Sequence, residues 1–448
     1  MQRLDMRHLL WKTVTVCFAL AMWLQPAQAI EIKEVTSPGG IRAWLVESRT
    51  IPLIAMDFSF EGGSTSDPLG KEGTANFITG MMDEGAGDLT GEQFQAKRDE
   101  LAVKIGFDSG SDQFEGSLQT LSKNRDAAFH LLKTALTSPH FESEAMERVR
   151  QQFLASARDK EQDPDHIASA AWMKLALPGQ LYSRSADGTP ASIANITTDD
   201  LKAMHKLIFS RKGLKISVVG DIDAATLGKA LDEIFGGLPD TDPPKPVSSV
   251  TVANGPIVKV IDRDIPQSVI VFGQKGILRN DPDFFPAFVM SHILGGGSAS
   301  RLTTEVREKR GLTYGVGYNL APLDHVGLYI GSVSTRNEKV SETLGVVRDV
   351  LKTMAGAGPT QAELDDAKTY LTGSYALRFD SDGKIANQLL GIQQEDLGID
   401  YVNTRNARIE AITLDQLKAQ AKKLIDSDHL IVTVVGRPAG VQSTGSGG

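Results

Sequence analysis

Cysteine is nearly absent from this sequence, since Cys17 is the only one among 448 residues. It lies in an N-terminal segment with basic residues at the start, an apolar run over residues 13–24, and a small-x-small site ending at Ala29. This pattern is typical of a secretory signal peptide, and its apolar run is too short for a permanent membrane span. We therefore predict that residues 1–29 are removed after Ala29. The mature chain is expected to be secreted, into a bacterial periplasm, and to have no disulfide.

Long apolar runs and an excess of positive charge are also missing. After the leader, no apolar run reaches the roughly 18 residues that a membrane-spanning helix needs. The net charge is −9, and removal of the leader, with three basic residues and one acidic residue, makes it −11. An acidic surface disfavours nucleic acids and anionic membranes as partners, so we expect no nucleic acid and no stable membrane insertion.

Several catalytic signatures are absent as well. The sequence has no G-x-S-x-G, no phosphate-binding P-loop motif and no C-x-x-C. Residues 381–384 spell S-x-x-K, but they follow a turn sequence and lack the companion motifs, so we do not assign a nucleophile there. The seven histidines after the leader include no pair four residues apart, the spacing at which two histidines share a helix face and bind zinc.

The clearest positive signal is an internal repeat. Residues 193–220 and 409–436 align without a gap at an offset of 216, and 12 of the 28 positions are identical. Each copy has a threonine N-cap, Thr197 or Thr413, followed by an amphipathic helix and a β-rich strand that ends in glycine. The chain is therefore predicted to be α+β, with two homologous units whose helices pack on a mostly antiparallel sheet.

Composition between the two copies sets the domain boundaries. Residues 241–255 are rich in proline and predict an extended, semi-rigid linker. We thus expect a first unit over residues 30–240 and a second unit over residues 256–437. Residues 438–448 have little to bury, so we expect a disordered tail.

The segment GTANFITGMMDEGAG, residues 73–87, has the pattern of a helix in an active site. Glycine begins it, an apolar stripe follows, Asp83 and Glu84 come near its end, and further glycines stop it. No residue before that acidic pair is a good metal ligand or general base. By its residues alone, the segment is an ordinary core helix or a catalytic helix that has lost its chemistry.

Two units of this size, with this segment in the first, resemble the insulinase (pitrilysin) family of zinc metallopeptidases over nearly the whole mature chain. That family carries an inverted zinc motif, H-x-x-E-H, on a helix entered through glycine and alanine, and the glutamate activates the zinc-bound water. Here the histidine positions hold Asn76 and Gly80, and the glutamate position holds Thr79. The family's third ligand is a glutamate on a later helix, where residues 155–157 of this chain read Ala-Ser-Ala.

The resemblance implies a half-clamshell fold with a degenerate zinc site. An amide, a hydroxyl and a hydrogen do not hold zinc against water, and Asp83 and Glu84 alone do not rebuild a site. We therefore expect this chain to bind no cofactor and the helix to persist for its packing alone.

The segment of the second unit that is most informative about function is GGGSASRLTTEVREKRGLTYGVGY, residues 295–318. Ser298 or Ser300 is predicted to cap a helix that runs to Arg310, and Gly311 to end it in the left-handed conformation. A strand is expected to begin directly after this helix.

In this segment Arg307 and Tyr314 stand in register with an arginine–tyrosine pair of the same family. The resemblance implies that they reach across to the zinc site, help to bind substrate and stabilise the oxyanion, since both supply hydrogen-bond donors to a carbonyl oxygen that becomes negative. On residue chemistry alone, they are also compatible with a solvated helix face and a half-buried strand tyrosine.

Gly295, Gly296 and Gly297 resemble the glycine-rich loop of the non-catalytic subunit of mitochondrial processing peptidase, which is linked to substrate handling. Taken alone, three glycines before a helix are equally compatible with a flexible entry. If they are ordered, their N–H groups can receive a carbonyl or carboxylate of a peptide.

Two functions follow as hypotheses. In the first, the chain is the non-catalytic subunit of a heterodimeric zinc peptidase, and a catalytic paralogue carries H-x-x-E-H and the zinc while Arg307 and Tyr314 assist on peptide substrates. In the second, it is a peptide-binding or scaffold protein with no role in proteolysis. The retained arginine–tyrosine segment favours the first, because a scaffold has no need for oxyanion donors.

Overall fold

The computed structural model describes residues 30–248 and 250–444. The predicted signal peptide therefore lies outside the described residues, as do the last four residues of the tail. Among the described residues, no helix combines the length and apolar character that crossing a membrane requires.

The first unit holds a six-stranded sheet, a two-stranded hairpin and eight α-helices within its described residues. Its strands are β1 (Lys33–Thr36), β2 (Arg42–Glu47), β3 (Leu53–Glu61), β4 (Gly85–Ala86), β5 (Leu89–Thr90), β6 (Lys104–Ser109), β7 (Gln113–Leu121) and β8 (Lys215–Gly220). Its helices are α1 (Thr74–Thr79), α2 (Gly91–Glu100), α3 (Arg125–Thr137), α4 (Ser143–Gln162), α5 (Pro164–Ala176), α6 (Pro190–Asn195), α7 (Thr198–Ile208) and α8 (Ala224–Phe235).

The second unit repeats this plan with a five-stranded sheet. Its strands are β9 (Ile257–Ile261), β10 (Gln267–Lys275), β11 (Val316–Pro322), β12 (Gly327–Arg336) and β13 (Ile431–Val435). Its helices are α9 (Phe284–Gly295), a π-helical segment (Thr303–Glu308), α10 (Val340–Ala357), α11 (Gln361–Gly373), α12 (Asp382–Gln394), α13 (Tyr401–Glu410) and α14 (Leu414–Leu424).

Apart from the additional edge strand β1 of the first, the two sheets have the same topology. The first has the order β1-β2-β8-β3-β7-β6 and the second the order β11-β12-β10-β13-β9. In each sheet one pair is parallel, β2 with β8 or β9 with β13, and the other pairs are antiparallel. The predicted α+β class, the mostly antiparallel sheets and the half clamshell are therefore confirmed.

The sequence repeat corresponds to α7–β8 and α14–β13. Thr197 and Thr413 are the N-caps of α7 and α14, and each forms a capping box with the residue three positions on, Asp200 or Gln416. Local hydrogen bonding between a cap and the first helical turn depends on a few neighbouring residues, which is why the sequence predicts it.

One helix of each unit packs on the sheet of the other unit. The predicted domain boundaries did not anticipate this helix exchange. Helix α5 of the first unit packs on β10 and β13 of the second, and α12 of the second packs on β3 and β8 of the first. Trp172 of α5 is fully buried and donates from Nε1 to the Ile431 carbonyl at 2.9 Å. Leu389 of α12 is buried against Ala55 and Val219 of the first sheet. One helix of each unit therefore packs on central strands of the other unit's sheet.

The linker and the C-terminal segment both form hydrogen bonds with the rest of the chain. The described residues of the linker form no helix or strand, and Ala253 N donates to the Ala176 carbonyl at 2.7 Å, so the linker is attached to the end of α5. The C-terminal segment is attached to β9 at residues 443 and 444. Thr444 N donates to the Val258 carbonyl at 2.9 Å, and Val260 N donates to Ser443 Oγ at 2.9 Å, because the open edge of β9 offers unpaired backbone groups.

Candidate functional site

Helix α1 occupies the place of the predicted active-site helix, but it is shorter than the sequence suggested. It begins after Gly73, whose φ of 90° is left-handed, and it ends at Thr79 with Gly80 as its C-cap. Residues 80–84 form turns, and Gly85 and Ala86 then pair with β5. Glycine at position 80 weakens the helix, so the expected continuation to the acidic pair Asp83 and Glu84 does not form.

Asp67 fixes the start of α1. Its carboxylate oxygens accept from Gly73 N at 2.7 Å and from Ala75 N at 2.8 Å. Burial raises the pKa of Asp67 to about 7, although these two N–H donors oppose the rise. The helix is thus held by a buried carboxyl group that serves the backbone.

Gly80, one of the three degenerate ligand positions, has no space for a larger side chain. A Cβ at Gly80 would lie 2.9 Å from Phe153 Cε2 and 3.0 Å from Val149 Cγ1, so a histidine there would require Phe153 to move. Phe153 also packs on Phe77, with ring centroids 5.3 Å apart. Thr79 Oγ1 donates to the Asn76 carbonyl at 2.7 Å and so serves the helix backbone. An aromatic ring therefore occupies the space beside Gly80, one of the positions to which the resemblance assigns a zinc ligand.

The two acidic residues near this helix are both engaged by cations. Asp83 forms an ion pair with Arg98 at 3.0 Å and accepts from Gln95 Nε2 at 2.9 Å. Glu84 forms an ion pair with Arg148. No group of three or more potential metal-binding side chains occurs among the residues that the structure describes. The side chains at this place do not fit a zinc ion.

In the second unit, the glycine triplet lies at the C-terminal end of α9 and divides into two parts. Gly295 is buried and bridges to Tyr318, and a Cβ there would lie 2.3 Å from Tyr318 N, so its role is close backbone packing. Gly296 and Gly297 are exposed. The Gly297 carbonyl accepts from Ser300 N and from Thr303 Oγ1, both at 3.1 Å, which holds the loop in place. A ligand therefore has access to Gly296 and Gly297 but not to Gly295.

Arg307 lies in the π-helical segment, a local geometry that is frequent at functional sites. Ser300 caps the helix by accepting from Thr303 N at 3.3 Å. The π-helical segment ends at Glu308, before the predicted end at Arg310, and Gly311 adopts the predicted left-handed conformation with a φ of 58°. The Arg307 side chain is exposed and has no ion pair within the described part of the chain. Tyr314 is 88% exposed.

The neighbouring charges on this helix are paired with one another. Glu305 binds Lys309 at 2.7 Å and Arg310 at 2.6 Å. Arg307 and Glu308 are exposed beside this cluster. The solvated helix face considered from the sequence therefore exists, but Arg307 is outside its ion-pair network and is free to contact another molecule.

A groove along α11 was missed by sequence reasoning. It consists of three adjoining clefts of about 340, 170 and 870 Å³. The first two share His292 and Tyr370, and the last two share Glu363. Gly296 borders the first cleft and Gly297 the second, so the glycine loop forms one wall of the groove. No local sequence pattern predicts this groove, because its walls come from segments that are distant in sequence.

The fold and this site define a peptidase-like protein whose zinc site is filled by packing and whose second unit remains accessible. The chain is similar to proteins of the insulinase (pitrilysin) family that lack the zinc motif. Residues 195–371 match the family model for the peptidase M16 inactive domain.

Relatives agree with this assignment. The chain is similar to the non-peptidase homolog YmxG of Helicobacter pylori, with 26% identity over 430 residues, 94% of this chain and 97% of that protein. It is also similar to the mitochondrial-processing peptidase subunit beta of Lentinula edodes, with 21% identity, covering 86% of this chain and 85% of that subunit. The crystal structure of a peptidase M16 inactive domain from Pseudomonas fluorescens superimposes with a TM-score of 0.85 at 29% identity, over 92% of this chain and 99% of that one.

Proposed function

We propose that this chain is the non-catalytic subunit of a heterodimeric zinc peptidase of the periplasm. The observation that carries the proposal is that Arg307 is exposed and unpaired among the residues described, whereas the neighbouring charges on its helix pair with one another. Tyr314, which follows the helix, is 88% exposed. Both side chains are free to donate hydrogen bonds to a bound peptide.

The role of this chain in the reaction is to bind and orient the peptide and to stabilise charge. A catalytic paralogue with H-x-x-E-H supplies the zinc and the activated water. Arg307 and Tyr314 donate to the carbonyl oxygen of the scissile bond as it becomes negative. Gly296 and Gly297 border the groove that receives the rest of the peptide. The filled region around Gly80 supports the absence of zinc from this chain.

The second candidate is a peptide-binding scaffold without a role in proteolysis. The groove along α11 is compatible with it, because that groove requires no partner to form. The accessible Arg307 and Tyr314 favour the first function over this one.

Reconstitution distinguishes the two functions. The mature chain, a paralogue with H-x-x-E-H from the same periplasm, and their mixture are assayed against a peptide library, with zinc measured in each by elemental analysis. We expect zinc only in the paralogue, a heterodimer by light scattering, and chelator-sensitive cleavage only in the mixture. A chain that stays monomeric and leaves the paralogue's activity unchanged contradicts the proposal and supports the scaffold.

A further inference from the structure

The end of the groove nearest the C-terminus of α11 is a cleft with two arginines and no acidic residue in its lining. We name it the arginine cleft, and its volume is about 340 Å³. Arg378 and Arg405 provide its charge, and Phe288, His292 and Tyr370 provide its aromatic walls. This volume lies near the lower end of the range of about 300–1,000 Å³ for small-molecule sites, so it fits a group the size of an amino-acid residue.

Arg405 is the deeper of the two cations. It lies on α13 and is only 5% exposed. Its Nη1 donates to the Leu371 carbonyl at 3.1 Å and to Asn406 Oδ1 at 3.0 Å, and its guanidinium lies 4.1 Å from the centroid of the Tyr375 ring. Burial lowers the pKa of Arg405. All of these partners are neutral, and no carboxylate of the described residues forms an ion pair with it.

Three other poorly exposed arginines of this chain have carboxylate partners. Their side chains are 14, 18 and 17% exposed, and the pairs are Arg150 with Glu147 at 3.0 Å, Arg184 with Glu72 at 3.2 Å, and Arg301 with Glu363 at 2.6 Å. Burial of a charge is costly unless an opposite charge or a dense set of hydrogen bonds compensates it. Arg405 is more buried than these and lacks the anion that they possess, so an anion from outside the chain would complete its environment.

Arg378 lies at the opening of the same cleft. It is exposed and makes no ion pair within the described part of the chain. Two unpaired arginines in one cleft form a local positive site in a chain of net charge −9. The planar guanidinium favours carboxylate and phosphate groups, to which it can donate two parallel hydrogen bonds.

The aromatic walls indicate which kind of group the ligand carries next to its anion. The His292 ring stacks on Tyr370, with centroids 4.9 Å apart and an interplanar angle of 14°. Burial lowers the pKa of His292, so this ring is neutral at pH 7 and the positive charge of the cleft comes from its arginines. Gly296 borders the cleft too, which places it beside the loop that handles peptide in our proposal.

We propose that the arginine cleft binds the carboxylate of a peptide residue, with Arg405 and Arg378 as its cations and the stacked His292–Tyr370 pair against the apolar part of that residue. The inference rests on the proposed function only in assuming a peptide ligand, and it requires neither the paralogue nor zinc. The carboxylate belongs either to the peptide C-terminus or to an acidic side chain.

The test is fluorescence anisotropy with the purified mature chain and three peptides labelled at the N-terminus. The first is Ala-Ala-Ala-Ala-Phe with a free C-terminus, the second is its C-terminal amide, and the third is an amide with Glu in place of Phe. We expect the free acid or the Glu peptide to bind at least tenfold more tightly than the Phe amide, since a hydrogen bond to a charged group contributes about that factor or more. A preference for the free acid identifies a C-terminal carboxylate, and a preference for the Glu amide identifies an acidic side chain.

Variants assign the effect to the cleft. Arg378→Gln should weaken binding of the preferred peptide about tenfold and Arg378→Glu more, and neither should affect folding because this residue is exposed. Arg405→Met should abolish the preference for the carboxylate while leaving thermal stability unchanged or higher, because it removes a buried charge without a counter-ion. Arg408→Gln, on the same helix but outside the cleft lining, is the matched control and should bind as the parent does.

Equal binding of all three peptides, absence of binding by all of them, or equal affinities of the Arg378 and Arg408 variants would overturn the inference. These outcomes leave the reconstituted peptidase test unaffected, since cleavage of the library does not depend on the three probe peptides. Conversely, a carboxylate preference in a chain that fails to activate the paralogue supports the cleft and contradicts the subunit role.

Discussion

Helix α1 of the first unit and helix α9 of the second follow corresponding strands, β3 and β10, but their surroundings differ. Beside α1, Phe153 packs against Gly80, and the nearby acidic residues are paired with arginines. Beside α9, an exposed glycine loop and an open groove lead to unpaired arginines. Within one repeated fold, the unit that would hold zinc is closed by packing, whereas the other presents side chains to solvent.

This difference teaches how a peptidase fold can lose catalysis without losing structure. A zinc site needs ligands at fixed positions and one open coordination position. When the ligands are replaced, other side chains must fill the space that the site occupied, because protein interiors are closely packed. An aromatic ring from α4 fills it here. Donors to a peptide need only exposure and a rigid support, so they can persist in the second unit after the first has changed.

The largest expected effect comes from breaking the helix exchange that joins the two units. Trp172→Ala should reduce the free energy of unfolding by about 3–5 kcal/mol, because it removes a fully buried indole of α5 from the second sheet. Chemical denaturation should show one transition shifted to lower denaturant, since α5 belongs to the first unit and packs on the second. Two separate transitions, of which one keeps the parent midpoint, would show that the units unfold independently.

The second effect concerns the accessible donors of the second unit. Arg307→Ala should lower the kcat of the reconstituted complex by about 100- to 1,000-fold, the usual cost of one oxyanion donor, and Tyr314→Phe should act in the same direction. Folding and assembly should be unchanged because both side chains are exposed. Glu308→Ala, an exposed neighbour on the same helix, is the control and should have little effect.

The outcomes of that experiment separate three interpretations. A change mainly in KM assigns Arg307 to substrate binding in the ground state. Equal activity of the Arg307 and Glu308 variants contradicts the assignment and favours a scaffold. Loss of folding in Tyr314→Phe would assign this tyrosine a structural role, against its exposure of 88%.

A smaller effect is expected from reintroducing ligands in the first unit. Gly80→His should destabilise the chain by about 1–3 kcal/mol through overpacking against Phe153. Addition of Phe153→Ala should offset part of the overpacking, which a double-mutant cycle measures as a coupling energy. Gly345→His is the matched control, since nothing lies within 4 Å of a Cβ at this position of α10.

The same region gives a prediction on zinc. The triple variant Asn76→His, Thr79→Glu and Gly80→His supplies two ligands and a base, but residues 155–157 supply no third ligand. We expect no stoichiometric zinc after dialysis, by elemental analysis. A variant that retains about one zinc ion per chain would show that the site is less closed than the packing of Phe153 indicates.

The contrast between local and distant interactions explains how much the sequence could predict. The capping boxes at Thr197 and Thr413 and the left-handed Gly311 depend on neighbouring residues, and the sequence predicted all three. Helices α5 and α12 each pack on the sheet of the other unit. This packing depends on which sheet face is left exposed in the assembled fold, so no local sequence pattern predicts it. The arginine cleft joins α9, α11 and α13, which are far apart along the chain, so no motif marks it.

The smallest effect compares one half-buried histidine in each unit. His205 of α7 is packed against Phe141 and Phe209, and its Nε2 lies 2.9 Å from the Leu136 carbonyl, whereas His292 faces the groove. Burial lowers the pKa of both imidazoles below the usual histidine value of about 6.5. The unfolded chain therefore takes up protons at a higher pH than the folded chain does. The stability that each histidine contributes is complete above about pH 6.5 and is lost as the pH falls towards the folded pKa.

Replacement of each histidine separates their contributions to this acid sensitivity. His205→Phe should flatten the fall in the free energy of unfolding between pH 7 and pH 5 more than His292→Phe does, because His205 is enclosed by aromatic rings and His292 borders two clefts that admit water. Urea denaturation at a series of pH values measures the slopes, and His130→Phe, at an exposed position, is the control. If His292→Phe flattened the pH dependence of the free energy of unfolding more than His205→Phe, the groove would admit less water than its clefts indicate. The comparison between a closed first unit and an open second unit would then fail at this position.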